Sequence, residues 1–468
     1  MGRQRDTDAG WKPYHTTWAW LFLAWMFLYI DRSITGPVVA WMIGSDLPMV
    51  SGSSMPHTLG GLIGGMFFAG YMLTQYPAGY LGDRYGRKSM VFLSTLLAAA
   101  ATLITGMARS LHAFVAARVL TGLVEGAYYS NDRALIASTT PAEKKGMAMG
   151  VIFSGLAVGL TIATLLTPHI LRWASEWMGQ EAWTLPFLLF SAPTFLVALG
   201  VWRYVRPAAG EEQKVGSAAI RLLAYSAVLL AVLMVVFTVV QDSGLTELVQ
   251  VGAVALTALV LIAVIYSRMG RRSAAVLWDR NLVLMYLSAV PILYTLWFFG
   301  FWALLVVSES ASIGLDGAAL YAAFFGLANG LGYPLGGYIT DRGAARGWSR
   351  KRLYIGLCLL VAVLILALGA YLGSGGNDYA IIGVLIFTVG LPFSAMQTVH
   401  MTMTSDLAPP EQMGQAFGMW NLVAEFGALL SPVVAGYLRD LTGSWTLSVL
   451  VTGVLLLVSA VLVLLVRR

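Results

Sequence analysis

Long apolar segments dominate the pattern of hydrophobic and polar positions along this chain. Fourteen of them reach the length of about 20 residues that a helix needs to cross a bilayer. Lipid offers no partner to open backbone groups, so each segment is predicted to be a helix and the chain an all-α polytopic membrane protein. The segments lie at 18–44, 59–82, 89–107, 113–136, 147–170, 185–205, 219–240, 248–267, 281–309, 318–340, 353–373, 379–404, 415–438 and 445–466.

Composition agrees with this pattern. The chain has 468 residues, of which 58% are hydrophobic and 11% charged, and its mean hydropathy is +0.75. A soluble protein carries about 25% charged residues, so most of this exterior is expected to face lipid. The net charge of +6 indicates bases held on the cytoplasmic side rather than a nucleic-acid partner. The single cysteine, Cys358, forms no intrachain disulfide and is interpreted as a packing residue.

The distribution of bases predicts an orientation. With the N-terminus inside and the segments alternating, 22 of the 29 lysines and arginines fall on the inner side. Only Arg109, Arg172 and Arg439 fall outside. Because cytoplasmic loops carry the excess of bases, this predicts a multi-pass protein of the inner (plasma) membrane with both termini in the cytoplasm.

Two motifs occur twice along the chain. YPAGYLGDR at Tyr76–Arg84 is echoed by YPLGGYITDR at Tyr333–Arg342, which places Asp83 and Asp341 258 positions apart. The pattern P-x-E-x-x-G-x-A-x-G starts at residue 141 and again at residue 409, an offset of 268. Two landmarks in the same order at nearly the same offset indicate a duplicated chain, which is a known plan of secondary transporters.

The duplication predicts three parts. Residues 1–206 and 273–468 are each expected to form a six-helix bundle, and 207–272 to hold a linker and two additional transmembrane helices. The surplus pair at 219–240 and 248–267 is rich in Val, Leu and Ala, so it is expected to face lipid outside any substrate path.

The stretch GYLGDRYGRK at Gly79–Lys88 resembles the loop signature between the second and third spans of the major facilitator superfamily. The resemblance implies two pseudo-symmetric six-helix bundles that rock around a central site, with this loop acting as a gate. Its glycines allow a tight turn, Asp83 is expected to accept backbone donors at a helix start, and the bases of the loop to pair with acids across the halves. The implied gating residues are Gly79, Asp83, Arg84, Gly86 and Arg87, with Asp341 and Arg342 in the less regular second copy.

Charged residues inside the spans are the candidates for chemistry, since each costs about 3 kcal/mol or more at membrane depth. The first span holds Asp31 beside Arg32, and the fourth holds Arg118 and Glu125 two helical turns apart. An arginine fork matches a carboxylate, and a glutamate near an arginine suits a group that exchanges a proton. Buried ion pairs that merely fix helix packing are the alternative interpretation.

Two motifs refine the resemblance. Y-x-D-R at Tyr29–Arg32 and R-x-L-x-G-x-x-E-G at Arg118–Gly126 resemble the anion:cation symporter branch, which includes sugar-acid importers and sialin. The resemblance implies that Arg32 and Arg118 bind a substrate carboxylate, that Asp31 and Glu125 exchange protons and that Asn421 helps to hold the substrate. Glu425 is either a second proton site or the partner of a loop base. Further candidates to line the polar cavity are Tyr29, Gln75, Tyr128, Tyr294 and Gln397.

The predicted function is proton-coupled symport of a small organic anion, such as a sugar acid, by alternating access. The alternative is a proton-coupled exporter of lysolipids or drugs, because spinster-like transporters also carry a D-R pair in the first span. The fifth span, VIFSGLAVGLTIATLLTP, lacks the GPxxGG-like run of drug antiporters. No nucleotide loop, metal-ligand cluster or nucleophile–base pattern is found, so neither enzyme activity nor a cofactor is expected. The expected partners are the organic anion, protons and the lipid bilayer. The protein is expected to be a monomer.

Overall fold

A computed structural model describes residues 10–141, 144–208, 210–243, 246–269, 274–409 and 412–467. Several residues used above lie outside the described residues. They are Arg3, Arg5, Arg271, Arg272 and Arg468 of the charge count, and Glu143 and Glu411 of the second repeated motif.

Every secondary-structure element in the described part of the chain is a helix. The first half contains α1 (Pro13–Gly44), the short α2 (Pro48–Ser51), α3 (Pro56–Tyr85), α4 (Arg87–Gly106), α5 (Leu111–Thr139), α6 (Lys145–Met178) and α7 (Leu185–Tyr204). The middle holds α8 (Val215–Asp242), α9 (Glu247–Met269) and the short α10 (Ala274–Leu277). The second half contains α11 (Arg280–Ala311), α12 (Leu315–Ala345), α13 (Arg350–Gly373), α14 (Tyr379–Leu407), α15 (Met413–Thr442) and α16 (Thr446–Leu464).

Fourteen helices of 19 residues or more match the fourteen predicted segments one for one within the described chain. Eight segments of this part qualify as membrane spans by length and apolar composition, and one of these, Met147–Tyr204, includes both α6 and α7. Helices α1, α3, α5, α9 and α12 fall outside that set. The all-α membrane fold is confirmed, while fourteen crossings remain a prediction.

Each half is built around one close helix pair. In the first half, a Cβ at Gly122 or Gly126 of α5 would overlap the backbone carbonyl of Phe67 or Tyr71 on α3. In the second half, Gly336 of α12 meets the backbone of α14 in the same way. Glycine is required because the backbones approach too closely for any side chain, which is how membrane helices pack. The matching pairs make the duplication visible in three dimensions.

The extra hairpin packs on the outside of the first half. Helix α8 contacts α3, α4 and α5 through one stripe, and its opposite side exposes valines such as Val228 and Val235. The buried residues recur every three or four positions and are Ala218, Leu222, Ser226, Leu229, Leu233 and Phe237. This amphipathic arrangement places α8 at the edge of the bundle, away from the charged interior.

A single glycine makes the sharp turn between α3 and α4. Gly86 has a φ of +100°, in the left-handed region that L side chains rarely adopt. The first donors of α4 are capped from the linker, since Arg87 N donates to Glu211 Oε1 (2.8 Å) and Ser89 N to Gln213 Oε1 (2.9 Å). The expectation that Asp83 caps this helix is therefore not met, because the linker carboxylate and amide occupy that position.

Candidate functional site

Helices α1 and α5 bring together a buried ion pair in the middle of the molecule. Arg32 Nε lies 2.6 Å from Glu125 Oε2, and the two side chains are 1% and 0% exposed. Aromatic rings surround the guanidinium, with its Cζ 4.3 Å from the centre of the Tyr71 ring and 4.8 Å from that of Tyr29. The ring faces stabilise the cation where water is excluded.

This pair leaves hydrogen-bonding capacity unused. Arg32 Nη2 and Glu125 Oε1 are buried and have no hydrogen-bond partner among the described residues. Buried polar atoms are nearly always paired, so unpaired ones mark a place where a ligand, a proton or water is accommodated. The Arg32–Glu125 pair therefore has one donor and one acceptor that the described residues do not use.

A second ion pair joins α1 to α5 on another side. Arg118 Nη1 lies 3.2 Å from Asp31 Oδ2, and both side chains are almost completely buried. Thr102 donates to Asp31 Oδ1 (2.7 Å), while Thr105 accepts from Arg118 Nε (3.2 Å) and Nη2 (2.7 Å). Every guanidinium nitrogen of Arg118 is thus hydrogen-bonded inside the first half.

The two arginines predicted to clamp one carboxylate thus have different ion-pair partners. Asp31 and Arg32 are adjacent on α1, so their side chains leave the helix about 100° apart. Arg32 meets Glu125 beside the second half, whereas Asp31 turns towards Arg118, α4 and the Phe187 ring, which lies 5.0 Å from Arg118 Cζ. The geometry favours Arg32 over Arg118 as a direct ligand.

The two halves of the molecule meet directly beside the Arg32–Glu125 pair. The ring of Tyr29 stacks on that of Trp297 from α11, with centroids 6.0 Å apart and planes at 14°. Phe68 of α3 also packs on Trp297, at 4.7 Å. The pair is thus placed where relative movement of the halves would change its surroundings.

Other predicted cavity residues lie in the interior with spare polar groups. Both amide atoms of Gln75, Tyr294 Oη, Asn421 Nδ2 and Glu425 Oε2 are buried without a hydrogen-bond partner in the described chain. Gln397 Oε1 accepts from Tyr333 (2.7 Å). Tyr128 differs, because its hydroxyl donates to the Leu21 carbonyl (3.3 Å) and the residue is fully buried within the first half. Tyr128 therefore belongs to helix packing.

The structure shows the surroundings of Asp132 and Arg133, which the sequence suggests are gate or interface residues near the inner end of the fourth span. Trp25 Nε1 donates to Asp132 Oδ2, and the neighbouring Arg133 lies against the rings of Trp25, Tyr129 and Phe153. The signal in the sequence is the charged pair itself, seven and eight residues beyond Glu125 in an apolar segment.

We call the side of the molecule that carries the Gly79–Lys88 loop the inner face, and the opposite side the outer face. On the outer face, His57 of the first half lies between two carboxylates of the second. Its Nδ1 is 2.6 Å from Asp440 Oδ1 and its Nε2 is 2.9 Å from Glu309 Oε1. Glu309 also accepts from Arg439 (2.7 Å) and Trp445 (2.9 Å). Polar contacts thus join the halves at the outer face.

The predicted gating residues of the inner face make local contacts. Arg87 Nη2 lies 2.9 Å from Asp83 Oδ1, one turn away on the same chain, and Arg84 lies over the Tyr85 ring. Arg342 donates to Tyr338 (2.7 Å) on its own helix, and Asp341 is exposed. Gly79 packs on Ser130. Among the described residues, none of these bases pairs with an acid of the other half, so an ionic contact across the inner face is not formed in this conformation.

The part of the chain described here holds no group of three or more residues that could bind a metal ion. The arrangement is one of ion pairs and aromatic rings at the meeting point of two bundles. Such a site can bind a charged solute and exchange protons without a cofactor.

Comparisons with known proteins agree with this architecture. The family model described as Major Facilitator Superfamily matches residues 21–322 and 285–468. The chain is 24% identical over 462 residues to a probable sulfoacetate transporter SauU of Cupriavidus necator, covering 96% of this chain and 93% of that one. It is 23% identical over 375 residues to a D-galactonate transporter of Escherichia coli O6:H1, covering 79% and 78%.

A solved structure has a similar fold. A bacterial homologue of the human lysosomal transporter spinster, in an inward-facing and occupied conformation, superimposes with a TM-score of 0.72. The match covers 98% of each chain at 16% sequence identity. At that identity the likeness describes the fold and leaves the cargo open.

Proposed function

This chain belongs to the Major Facilitator Superfamily, and from its central site we propose that it is a proton-coupled symporter of a small organic anion. The cargo class is a carboxylate such as a sugar acid. Both relatives named above are described as transporters of acids that are anionic at neutral pH, D-galactonate and sulfoacetate, which supports this class.

The Arg32–Glu125 pair is the observation that carries the proposal. Among the described residues, Arg32 Nη2 and Glu125 Oε1 have no hydrogen-bond partner, and both lie buried between the halves. A substrate carboxylate can accept hydrogen bonds from Arg32, provided that Glu125 no longer forms an ion pair with the same guanidinium. Protonation of Glu125 achieves this, because it removes the competing negative charge.

The balance of charges in the interior supports coupling to protons. Three arginines oppose four carboxyl groups, namely Arg32, Arg118 and Arg133 against Asp31, Glu125, Asp132 and Glu425. With all seven ionised the interior carries a net charge of −1 and repels an anion. Protons on Glu125 and Glu425 change that net charge to +1, so an anion is accepted only together with protons.

Asp31 and Arg118 have a supporting role in this proposal. Their pair holds α1 against α4 and α5, and Asp31 adjoins Arg32 in sequence. When Glu125 is protonated, the fixed Asp31–Arg118 pair keeps α1 in position so that Arg32 stays directed at the substrate. Arg118 thus positions the binding residue, and its removal affects binding indirectly.

The position of the site at the interface of two bundles supports alternating access as the transport mechanism. The outer face is joined by His57, Asp440 and Glu309, while the inner bases make only local contacts. Rocking about the Tyr29–Trp297 contact would release the outer cluster and form contacts across the inner loop, where Arg84 and Arg87 are available.

A lysolipid or drug exporter is the competing assignment. The spinster homologue supports a shared fold only, since its sequence identity is 16%. A lysolipid or drug would be better served by apolar walls, whereas the described part of this interior concentrates seven arginine, aspartate and glutamate side chains. The charged interior favours a small anion.

Uptake into proteoliposomes tests the proposal. Labelled D-galactonate and sulfoacetate serve as separate probes, with the outside made more acidic by one pH unit. Each proton that enters with the anion gains about 1.4 kcal/mol from that step, so accumulation of a transported acid should rise about tenfold for each coupled proton. Glu125→Gln should abolish the effect of the gradient but retain exchange of labelled for unlabelled substrate. Uptake that is indifferent to the gradient, or absent for every carboxylate tried, would contradict the proposal.

A further inference from the structure

A second arginine lies near the Arg32–Glu125 pair and has spare donors. Arg133 is on α5, eight residues beyond Glu125 and therefore about 12 Å further towards the inner face. Its side chain is 15% exposed, whereas the side chain of Arg118 is 0% exposed. An arginine at this depth requires either a full set of partners or a ligand.

The partners of Arg133 do not saturate it. Its Nη1 contacts the thioether of Met149 (3.1 Å), a weak acceptor, and its Nε lies 3.6 Å from Asp132 Oδ1, too far for a hydrogen bond. Nε and Nη2 are buried and have no hydrogen-bond partner among the described residues. Asp132 directs its other oxygen to Trp25 Nε1, so it is shared between two groups.

Aromatic rings hold the guanidinium of Arg133 in place without using its donors. Its Cζ lies 4.2 Å from the centre of the Phe153 ring, 5.2 Å from that of Tyr129 and 5.4 Å from that of Trp25. Ring faces stabilise a cation but accept no hydrogen bond in the guanidinium plane. The edge of the fork is therefore fixed in direction and available to two anionic oxygens.

Trp25 connects this arginine to the first one. Arg32 Cζ lies 5.6 Å from the Trp25 ring and Arg133 Cζ lies 5.4 Å from it, so the two guanidinium groups are within about 11 Å of each other. In each arginine, Nη2 has no hydrogen-bond partner in the part of the chain that the structure describes. This spacing lets one small molecule with an acidic group at each end contact both arginines.

The second half closes the same region. Phe153 stacks on Tyr333 of α12 (6.2 Å, 26°), and the Tyr333 hydroxyl donates to Gln397 of α14. Arg133 thus lies at a contact between the halves, as Arg32 does at the Tyr29–Trp297 contact. A ligand bound to both arginines would therefore affect the contact between the two halves at two points.

We propose that Arg133 is a second anion subsite and that the preferred cargo is a small dianion, with one acidic group on Arg32 and the other on Arg133. The inference rests on the proposed function and narrows its substrate class. A dianion also explains the need for more than one titratable group, since neutralising two glutamates offsets its two charges.

Paired six-carbon sugar acids test the inference. D-Galactonate carries one carboxylate and galactarate two, so they differ chiefly at one end. Binding to the purified full-length protein is measured by calorimetry, and transport by exchange in proteoliposomes. Wild type is expected to bind galactarate at least fivefold more tightly than D-galactonate. Arg133→Gln should weaken galactarate binding tenfold or more and D-galactonate binding less than threefold.

Two further variants make the result decisive. Arg133→Lys keeps the charge but loses the fork, so its galactarate affinity should be intermediate. Arg109→Gln removes an arginine that pairs with Glu181 away from the interior, and it should bind both acids as wild type does. Equal losses for both acids in Arg133→Gln, or no preference of wild type for galactarate, would overturn the second subsite alone. Binding of neither acid would overturn the proposed function as well.

Discussion

Two buried arginines of the first half have different surroundings and therefore different tasks. The guanidinium nitrogens of Arg118 are all hydrogen-bonded, to Asp31 and to the hydroxyls of Thr105 and Thr121. Arg32, in contrast, is held by aromatic rings and by one oxygen of Glu125. A saturated arginine fixes structure, and an unsaturated one is available to a ligand. The difference lies in the neighbours, since the residue type is the same.

This difference predicts opposite consequences for substitution. Arg118→Met leaves Asp31 charged and unpaired in the interior, so it should destabilise the protein by about 3–5 kcal/mol. Adding Asp31→Asn removes that charge and should recover a large part of the loss. Thermal unfolding in detergent measures both effects. Additive losses in the double variant would show that the two residues do not act as a pair.

The matched change at the ligand arginine is Arg32→Lys. It keeps a charge beside Glu125, so most of the stability should remain, but it removes the planar fork. We expect at least tenfold weaker binding of D-galactonate with a small change in the unfolding temperature. If stability and binding fall together, Arg32 is as structural as Arg118.

At the residue scale, sequence reasoning found the important side chains but not their partners. Asp31, Arg32, Arg118 and Glu125 stood out because charges are rare in apolar segments. Which of them pair depends on how α1 is rotated against α5, across 93 positions for Arg32 and Glu125. Periodicity along one helix contains no information about that rotation. Arg133 was interpreted as a gate or interface residue, and its aromatic neighbours could not be predicted because they come from three different helices.

Close helix contacts through glycine define the element scale. On α3, a Cβ at Gly61 would overlap the backbone of Pro432 on α15, and one at Gly65 would lie 2.8 Å from the Leu429 carbonyl. These positions are on the outer part of α3, and they let helices of opposite halves touch. The outer face can close only if no side chain stands between them.

Gly61→Ala should therefore hold the outer face open. The test uses a cysteine at Thr35 of α1, a buried position, in a Cys358→Ser background. Labelling of this cysteine by a membrane-impermeant reagent from the outer side should rise several-fold, and transport should fall. Gly418→Ala is the control. Gly418 lies on α15, the helix that Gly61 contacts, but a Cβ at Gly418 would have nothing within 4 Å. Equal labelling in both variants would contradict the role of Gly61.

The elements were largely predictable, because about 20 apolar residues in lipid can only be a helix. The two helices of the surplus pair were predicted to face lipid because they lack polar groups. The contacts of α8 with the first half were not predictable. Its buried stripe from Ala218 to Phe237 fits α3, α4 and α5 only once those helices are in place. The linker was expected to be a polar connection, but Glu211 and Gln213 cap α4.

At the scale of the whole molecule, the structure is two bundles joined more firmly at one face than at the other. His57, Asp440 and Glu309 connect the halves outside, and the aromatic contacts of Trp297 and Tyr333 connect them in the middle. The duplicated motifs predicted two bundles. They could not predict which face is joined, because the gate bases Arg84 and Arg87 suit either conformation.

The central claim is that protons enter with the anion because the site cannot accept an anion alone. The most direct measurement follows external pH when D-galactonate, or galactarate, is added to lightly buffered proteoliposomes without any initial gradient. We predict alkalinisation outside, as each anion carries protons inward, and loss of that signal in Glu125→Gln while substrate exchange persists. Entry of the labelled anion with no movement of protons would contradict the account.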